Sequence, residues 1–269
     1  MESKRLALVT GASSGIGLEL ARLHAIKGGD LVLVARSEDS LLSLKREWEH
    51  MYKVRVYPIA IDLSLPGAAT ILAERLTELD LHPQYVINNA GLGGLGEFAE
   101  QTHKQINQQM MVNMVALTEI TRELLPAMVD ARRGAILQVA SLASFMPGPL
   151  QAVYYASKAY VLSLSEALRH ELEGSGVTVT TLCPGPTESN FLAVAGGPRG
   201  NVYKAQSAKQ VAEYGYQAML DGRSIAIPDS RLAWQLKVIP KQLLSRITHK
   251  RNRKILAMVN LDGAVTKSA

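Results

Sequence analysis

The apolar residues of this chain come in short runs separated by longer amphipathic stretches. "RLALVT", "DLVLVA", "VRVYPIAI", "YVIN", "GAILQVA" and "GVTVTTLC" are continuous rather than alternating, and rich in Val, Leu and Ile. Such runs fit strands covered on both faces. Between the first four lie "GLELARLHAIKGG", "EDSLLSLKREWEHM" and "PGAATILAERLTEL", where apolar residues recur at helical spacing. "SIAIP" predicts a seventh strand. Strands alternating with helices of ten or more residues predict an α/β fold, a doubly wound parallel sheet of about seven strands with helices on both faces. The main domain runs over 1–228, and 229–269 follows as an extension.

The first strand leads into "VTGASSGIGLEL". Gly11, Gly15 and Gly17 let the backbone turn tightly and let a ligand approach it. Ser13 and Ser14 add hydroxyls, and Ile16 lies inside the same turn. The helix that follows presents free N–H groups and a positive dipole end, which suits a pyrophosphate. The plain structural reading is a strand-to-helix turn, but three glycines in this setting favour a dinucleotide. The second strand ends in "VLVARSE", so Arg36 stands where an acid usually holds a ribose 2′-hydroxyl. A guanidinium attracts a 2′-phosphate and binds it bidentately, which favours NADP(H) over NAD(H). The competing reading of Arg36 is a solvated surface charge. Glu38 and Asp39, just beyond, read as first-turn helix acids.

Composition removes several function classes. Of 269 residues, 47% are hydrophobic and 20% charged, enough for a packed core. Cys183 is the single cysteine, so neither an internal disulfide nor a thiolate cluster can form, and a cytoplasmic, reducing location is expected. The six histidines are scattered without ligand spacing, so no metal is expected. No apolar run is long enough for a bilayer span, and the N-terminus lacks the pattern of a secretory leader. The net charge is +5, but residues 231–254 carry eight Lys or Arg and no acid, which leaves −3 for the rest. The basicity belongs to the extension, which argues against a nucleic-acid enzyme.

Seven motifs then occur in a fixed order. "TGASSGIG" spans Thr10 to Gly17, "DL" is Asp62 and Leu63, and "NNAG" spans Asn88 to Gly91. Asn113 sits in "MMVNMVAL", Ser141 ends "LQVAS", Y-x-x-x-K runs from Tyr154 to Lys158, and "PGPT" spans Pro184 to Thr187. With these motifs the chain, from Arg5 to about Pro228, resembles the short-chain dehydrogenase/reductase family, whose domain is a Rossmann fold. "LVLVARSEDSLLSL" and "EALRHELEGSGVTVTTLCPGPTESNF" further resemble uncharacterised members similar to 3-oxoacyl and very-long-chain ketoacyl reductases.

The resemblance implies roles. Tyr154 would be the general acid and base at a carbonyl oxygen, Ser141 a hydrogen-bond donor to that oxygen, and Lys158 a partner of the nicotinamide ribose. Residues four apart share a helix face, so the Lys158 ammonium is expected to lower the Tyr154 pKa. Tyr155, three residues before Lys158, is equally near by helical spacing; the family pattern Y-x-A-S-K is what selects Tyr154. Asn113 would hold a water linking Lys158 to solvent. Asp62 and Leu63 would border the adenine, Asn89, Ala90 and Gly91 the cofactor channel, and Pro184, Gly185 and Thr187 the nicotinamide side. Taken singly, Asn113, Ser141 and Asp62 could be a helix polar residue, a cap and a turn former.

The segment between Ser141 and Tyr154, and a lid that the family places at about 188–210, would border the substrate. Phe145 and Phe191 are the aromatic candidates there, and the other residues are mostly apolar, so a small apolar carbonyl or alcohol is expected. The basic tail would make peripheral contact with an anionic membrane surface, or pack on the core or on a sister subunit. The resemblance also suggests a homodimer or homotetramer, built on the helices of Asn113 and Tyr154. The expected function is an NADP(H)-dependent interconversion of a carbonyl and a secondary alcohol. The alternative is a non-catalytic dinucleotide sensor or scaffold.

Overall fold

The computed structural model describes residues 5–188, 205–229 and 239–265, with side chains to Met258. Seven strands form one sheet: β1 (Leu6–Thr10), β2 (Asp30–Ala35), β3 (Val56–Ala60), β4 (Tyr85–Asn88), β5 (Gly134–Val139), β6 (Val177–Leu182) and β7 (Ile225–Ala226). Their order is β3-β2-β1-β4-β5-β6-β7, with every pairing parallel. The order reverses between β1 and β4, the switch point where open α/β sheets bind ligands. Pro58 sits in β3, where its missing N–H is tolerated because β3 is an edge strand.

Among the described residues eight α-helices accompany the sheet: α1 (Gly15–Ile26), α2 (Glu38–Tyr52), α3 (Ala68–Glu78), α4 (His103–Met110), α5 (Leu117–Asp130), α6 (Ala152–Glu171), α7 (Ala208–Leu220) and α8 (Lys241–Val265). A π turn, Met111–Ala116, joins α4 to α5. Because side chains alternate along a strand, each strand feeds two cores. Ala7, Val9, Leu31 and Leu33 pack with Leu20 of α1, Trp48 of α2 and Tyr216 of α7. Leu6, Leu8, Val32 and Val34 pack with Leu72 of α3 and Ile120 of α5 on the other face. This two-sided burial is why the strands read as unbroken apolar runs.

One polar group is sealed into the first of these layers. His24 of α1 is only 2% exposed. Its Nε2 meets the Arg5 carbonyl at 2.8 Å and its Nδ1 meets the Tyr216 hydroxyl at 2.8 Å. A carbonyl only accepts, so Nε2 carries the proton and Nδ1 accepts from Tyr216. Burial holds the His24 pKa below its ordinary value, outweighing the hydrogen bond to Arg5 and the attraction of Asp30.

The unfolded chain therefore takes up a proton at His24 near pH 6.5 while the folded chain resists it. Stability is complete above that pH and falls as the pH drops below it, by at most about 1.4 kcal/mol per pH unit. Urea denaturation between pH 7.5 and 5.5 should show this fall in the native protein and a shallower one in His24→Gln. Equal slopes in the two proteins would refute the assignment.

Candidate active site

The C-terminal ends of the strands converge on one edge of the sheet. At the end of β1, Gly11 and Gly15 adopt left-handed conformations, with φ of 65° and 57°. Side chains other than glycine rarely adopt them, which is why this turn is written in glycine. Ser14 is the N-cap of α1 but makes no side-chain cap hydrogen bond, and the first turn of α1 carries no acid. Ser13 and Ile16 are half-buried in the same turn. The helix thus presents its positive end without a side chain or an acid competing for it.

The turn is fastened to the loop after β4. The Asn89 amide Nδ2 donates to the carbonyls of Thr10 and Gly11, at 3.1 and 3.2 Å. The Thr10 hydroxyl accepts from the backbone N–H groups of Asn89 and Ala90, both at 3.0 Å. A Cβ at Gly17 would lie 2.2 Å from Asn89 Nδ2 and 2.3 Å from the Gly11 carbonyl. Glycine is required there by close approach rather than by an unusual φ.

Arg36 stands exposed one residue beyond β2. It lies close enough to Asp62 to help hold that carboxyl below its ordinary pKa, after the larger effect of the Ser64 backbone N–H. Leu63 beside it is buried. Glu38 and Asp39 fall in the first turn of α2, capped by Ser37, as their sequence position predicts.

The third group gathers around α6. Tyr154 is half-buried in its first turn and hydrogen-bonds the Ser141 hydroxyl. Ser141 lies just past β5, where its Oγ also accepts from the Ala143 N–H at 3.1 Å. Lys158 is buried, and its Nζ donates to the Val139 carbonyl at 2.8 Å while lying 5.9 Å from the centre of the Tyr154 ring. Gly91 completes this corner: a Cβ there would sit 3.4 Å from Lys158 Nζ and 3.5 Å from Asn113 Oδ1. Tyr155 goes elsewhere. Its buried ring lies on Gly148, where a Cβ would come within 2.2 Å, and its hydroxyl accepts from Arg251 at 3.2 Å.

The electrostatics differ from the expectation that Lys158 lowers the Tyr154 pKa. Burial pushes Tyr154 up to about 12, and the hydrogen bond with Ser141 pulls against that rise. Burial also pushes Lys158 down to about 8. Desolvation is the largest cause for both groups.

Asn113 lies in the π turn and is fully buried. Its Oδ1 accepts from the Leu92 N–H at 2.7 Å, and its Nδ2 donates to the Leu92 carbonyl and the Ser157 hydroxyl at 2.8 and 2.9 Å. Ser157 passes its own proton to the Tyr154 carbonyl at 2.8 Å. Thr10, Ser157 and Ser144, which donates to the Lys158 carbonyl at 2.7 Å, thus support the site without having been singled out from sequence. Thr10 and Ser157 lie inside the quoted motifs, next to glycine and lysine, and that adjacency was the available signal.

After β6 the Pro184 carbonyl accepts from the Leu142 N–H at 2.9 Å, tying the two strand ends together. The Thr187 hydroxyl donates to the Gly185 carbonyl at 3.0 Å. Phe145 packs half-buried against the small core of Val161, Leu162 and Cys183, so it has a packing role at that position. Phe191 and most of the expected lid lie outside the described residues. Among the described residues no cluster of His, Cys, Asp and Glu is arranged to hold a metal ion.

Known proteins resemble this chain in sequence and fold. A family model described as short chain dehydrogenase matches residues 5–196. The probable oxidoreductase EphD of Mycobacterium tuberculosis (strain ATCC 25618 / H37Rv) is 33% identical over 192 residues, which cover 71% of this chain and 32% of that protein. A very-long-chain 3-oxoacyl-CoA reductase of Pyrenophora tritici-repentis is 37% identical over 177 residues, 64% of this chain and 52% of the relative. The chain therefore spans about a third to a half of these curated relatives. Among solved structures, a short-chain dehydrogenase from Sphingobium yanoikuyae in complex with NADPH superposes with a TM-score of 0.81 at 31% identity, covering 87% of this chain and 91% of the other. With the ordered motifs, the switch-point sheet and the matched residues in agreement, this chain belongs to the short-chain dehydrogenase family.

Proposed function

We propose that the chain is an NADP(H)-dependent oxidoreductase that interconverts a carbonyl and a secondary alcohol on an apolar substrate. The observation that carries this reading is the hydrogen-bonded pair of Tyr154 and Ser141 above the buried Lys158. The dinucleotide would lie along the strand ends, its pyrophosphate against Gly11, Ser13, Ser14, Gly15, Ile16 and Gly17. Asp62, Leu63, Asn89, Ala90 and Gly91 would line its adenine half and channel, and Pro184, Gly185 and Thr187 its nicotinamide side. The close approach at Gly17 and the open positive end of α1 fit such a group. Once bound, it would supply the hydride.

The residues of the chain would handle the proton. With its pKa pushed up to about 12, Tyr154 holds its proton at neutral pH and is a donor to a carbonyl oxygen, in the direction of reduction. Ser141 would donate a second hydrogen bond to the same oxygen. Both N–H groups of the Asn113 amide are used, on Leu92 and Ser157, and its Oδ1 accepts from the Leu92 N–H, so a water in the relay would donate to the second lone pair of that oxygen. Apolar neighbours and the resemblance to a 3-oxoacyl-CoA reductase favour a ketone, 3-oxoacyl or steroid-like substrate. The same proposal includes a cytoplasmic homodimer or homotetramer, through the face where Tyr160 of α6, 39% exposed, meets Thr118 of α5.

Peripheral membrane contact is the last part of the proposal. Among the described residues no helix is long and apolar enough to cross a membrane. The outward side of α8 intermixes exposed Leu243, Ile247 and Met258 with Arg246, Lys250 and Lys254, a pattern that suits an anionic bilayer surface.

Tyr154→Phe should lower NADPH-driven reduction of an apolar ketone by at least about 100-fold while NADPH still binds, and Tyr155→Phe should retain most of the rate. If both variants behaved alike the mechanism would fail, and a native chain that bound NADPH but turned over nothing would support a sensor or scaffold. Arg36→Asp should weaken NADPH binding about 10- to 100-fold, the scale of a lost charged hydrogen bond, and leave NADH nearly unchanged. An unaltered NADPH-to-NADH ratio would sink the Arg36 assignment. Native protein should float with phosphatidylglycerol vesicles and not with phosphatidylcholine ones, and Ile247→Glu should abolish flotation. Indifference to vesicle charge would remove the membrane contact.

A further inference from the structure

The helix that carries Tyr154 starts without a cap. Gln151, at its N-cap, makes no side-chain cap hydrogen bond, and the first turn of α6 holds no acid. The residue before it, Leu150, adopts a left-handed conformation with φ of 67°, which costs a non-glycine residue about 1–2 kcal/mol. Leu150 is also buried. A strained residue next to an uncapped helix start persists only where surrounding contacts hold it.

Those contacts come from outside α6. The Gly96 N–H donates to the Leu150 carbonyl at 2.9 Å. Asn252 of α8, 1% exposed, donates from Nδ2 to the Pro149 carbonyl at 2.8 Å. Thr248, 4% exposed, directs its hydroxyl to Met146 Sδ at 3.5 Å, and Arg251 reaches the Tyr155 hydroxyl at 3.2 Å. Leu244, Thr248, Asn252 and Ile255 are all buried, and spacings of four, four and three put them on one face of α8. That face covers residues 146–150, the segment leading from Ser141 to Tyr154. The family match ends at residue 196, well before α8.

We propose that α8 is a clamp that fixes the start of α6, and that Asn252 is the positioning residue through which it sets the placement of Tyr154 against a bound carbonyl. The kinetic half of this inference rests on the proposed carbonyl–alcohol chemistry; the structural half does not. Asn252 does not cap α6; it holds the Pro149 carbonyl, two residues before the N-cap, and so anchors the entering backbone from a helix about a hundred residues away in sequence. Releasing the Pro149 carbonyl frees Leu150 to leave its strained conformation. The first turn of α6 then loses its fixed origin, and Tyr154 sits in that turn.

The test uses the full chain with Asn252→Leu, which keeps volume and removes the donor, and Gln242→Ala on the exposed side of α8 as a control. Hydrogen exchange should accelerate at least tenfold at the Gln151 and Tyr155 amides, which bond to the Gly148 and Gln151 carbonyls, and stay unchanged in β1 and β2. With NADPH affinity within twofold of native, kcat/KM for ketones should fall at least tenfold, and the ratio between a bulky and a small ketone should shift. A merely stabilising contact would lower the melting temperature without moving that ratio. Unchanged exchange at Gln151 and Tyr155 overturns the clamp, and faster exchange with native kinetics overturns the positioning role. If Asn252→Leu does not fold, Thr248→Val must give the same changes in milder form, and its failure to do so overturns the proposal. A native chain inactive on every carbonyl would count against the proposed chemistry, while the exchange result would still decide the clamp.

Discussion

The site depends on how closely two backbones meet at the switch point of the sheet. β1 and β4 are neighbours whose connections leave in opposite directions, which opens a crevice at their ends. The Asn89 amide bridges that crevice by binding the carbonyls of Thr10 and Gly11, and Thr10 answers through the N–H groups of Asn89 and Ala90. This contact is possible only because residue 17 has no Cβ. A methyl group there would meet both the amide and a carbonyl, pushing the start of α1 away from the strand ends. The positive end of α1, the turn of Gly11 and the loop through Gly91 would then no longer face one another. Lys158 and Asn113 lie against Gly91, so the constraint reaches from the dinucleotide side to the reacting side.

Desolvation rather than charge pairing sets the electrostatics of the reacting corner. Reading Tyr154 and Lys158 as neighbours on a helix face led to the expectation that the ammonium lowers the phenol pKa. Spacing gives proximity, but it does not tell which group the ammonium binds. Here that group is the Val139 carbonyl, and burial drives the phenol and the ammonium in opposite directions, each toward its neutral form. The nearby Cys183 thiol is driven up to about 12 by the same cause, so it stays neutral.

Much of the fold was legible because it is periodic. "DLVLVA" and "YVIN" correspond residue for residue to β2 and β4, since a strand covered on both faces leaves an unbroken apolar run. The glycines of the first turn and the convergence of the motifs on one sheet edge were legible for related reasons: each requires a residue type that few other local structures demand. What stayed hidden depends on tertiary contact. The π turn around Asn113 has the composition of an ordinary helix, and nothing in "MMVNMVAL" marks its wider winding. Phe145, the apolar residue beside Ser141 expected to border the substrate, also packs against the core at Val161 and Leu162, a contact its sequence position does not announce.

The two tyrosines and the tail show the same limit from opposite sides. Helical spacing left Tyr154 and Tyr155 equivalent, because three and four residues both return to one face. They part only through their surroundings: Ser141 meets the first, while Gly148 and Arg251 take the second. In the tail, eight cations drew attention to charge, although the buried stripe of α8 is half polar. Thr248 and Asn252 would be read as surface residues by any hydrophobic pattern. They are buried because the segment they cover offers acceptors that need partners: the Pro149 carbonyl takes Asn252, and the Met146 sulfur takes the Thr248 hydroxyl. A buried polar stripe of this kind follows the unmet hydrogen bonds of another segment, so its place can be read only once that segment has folded.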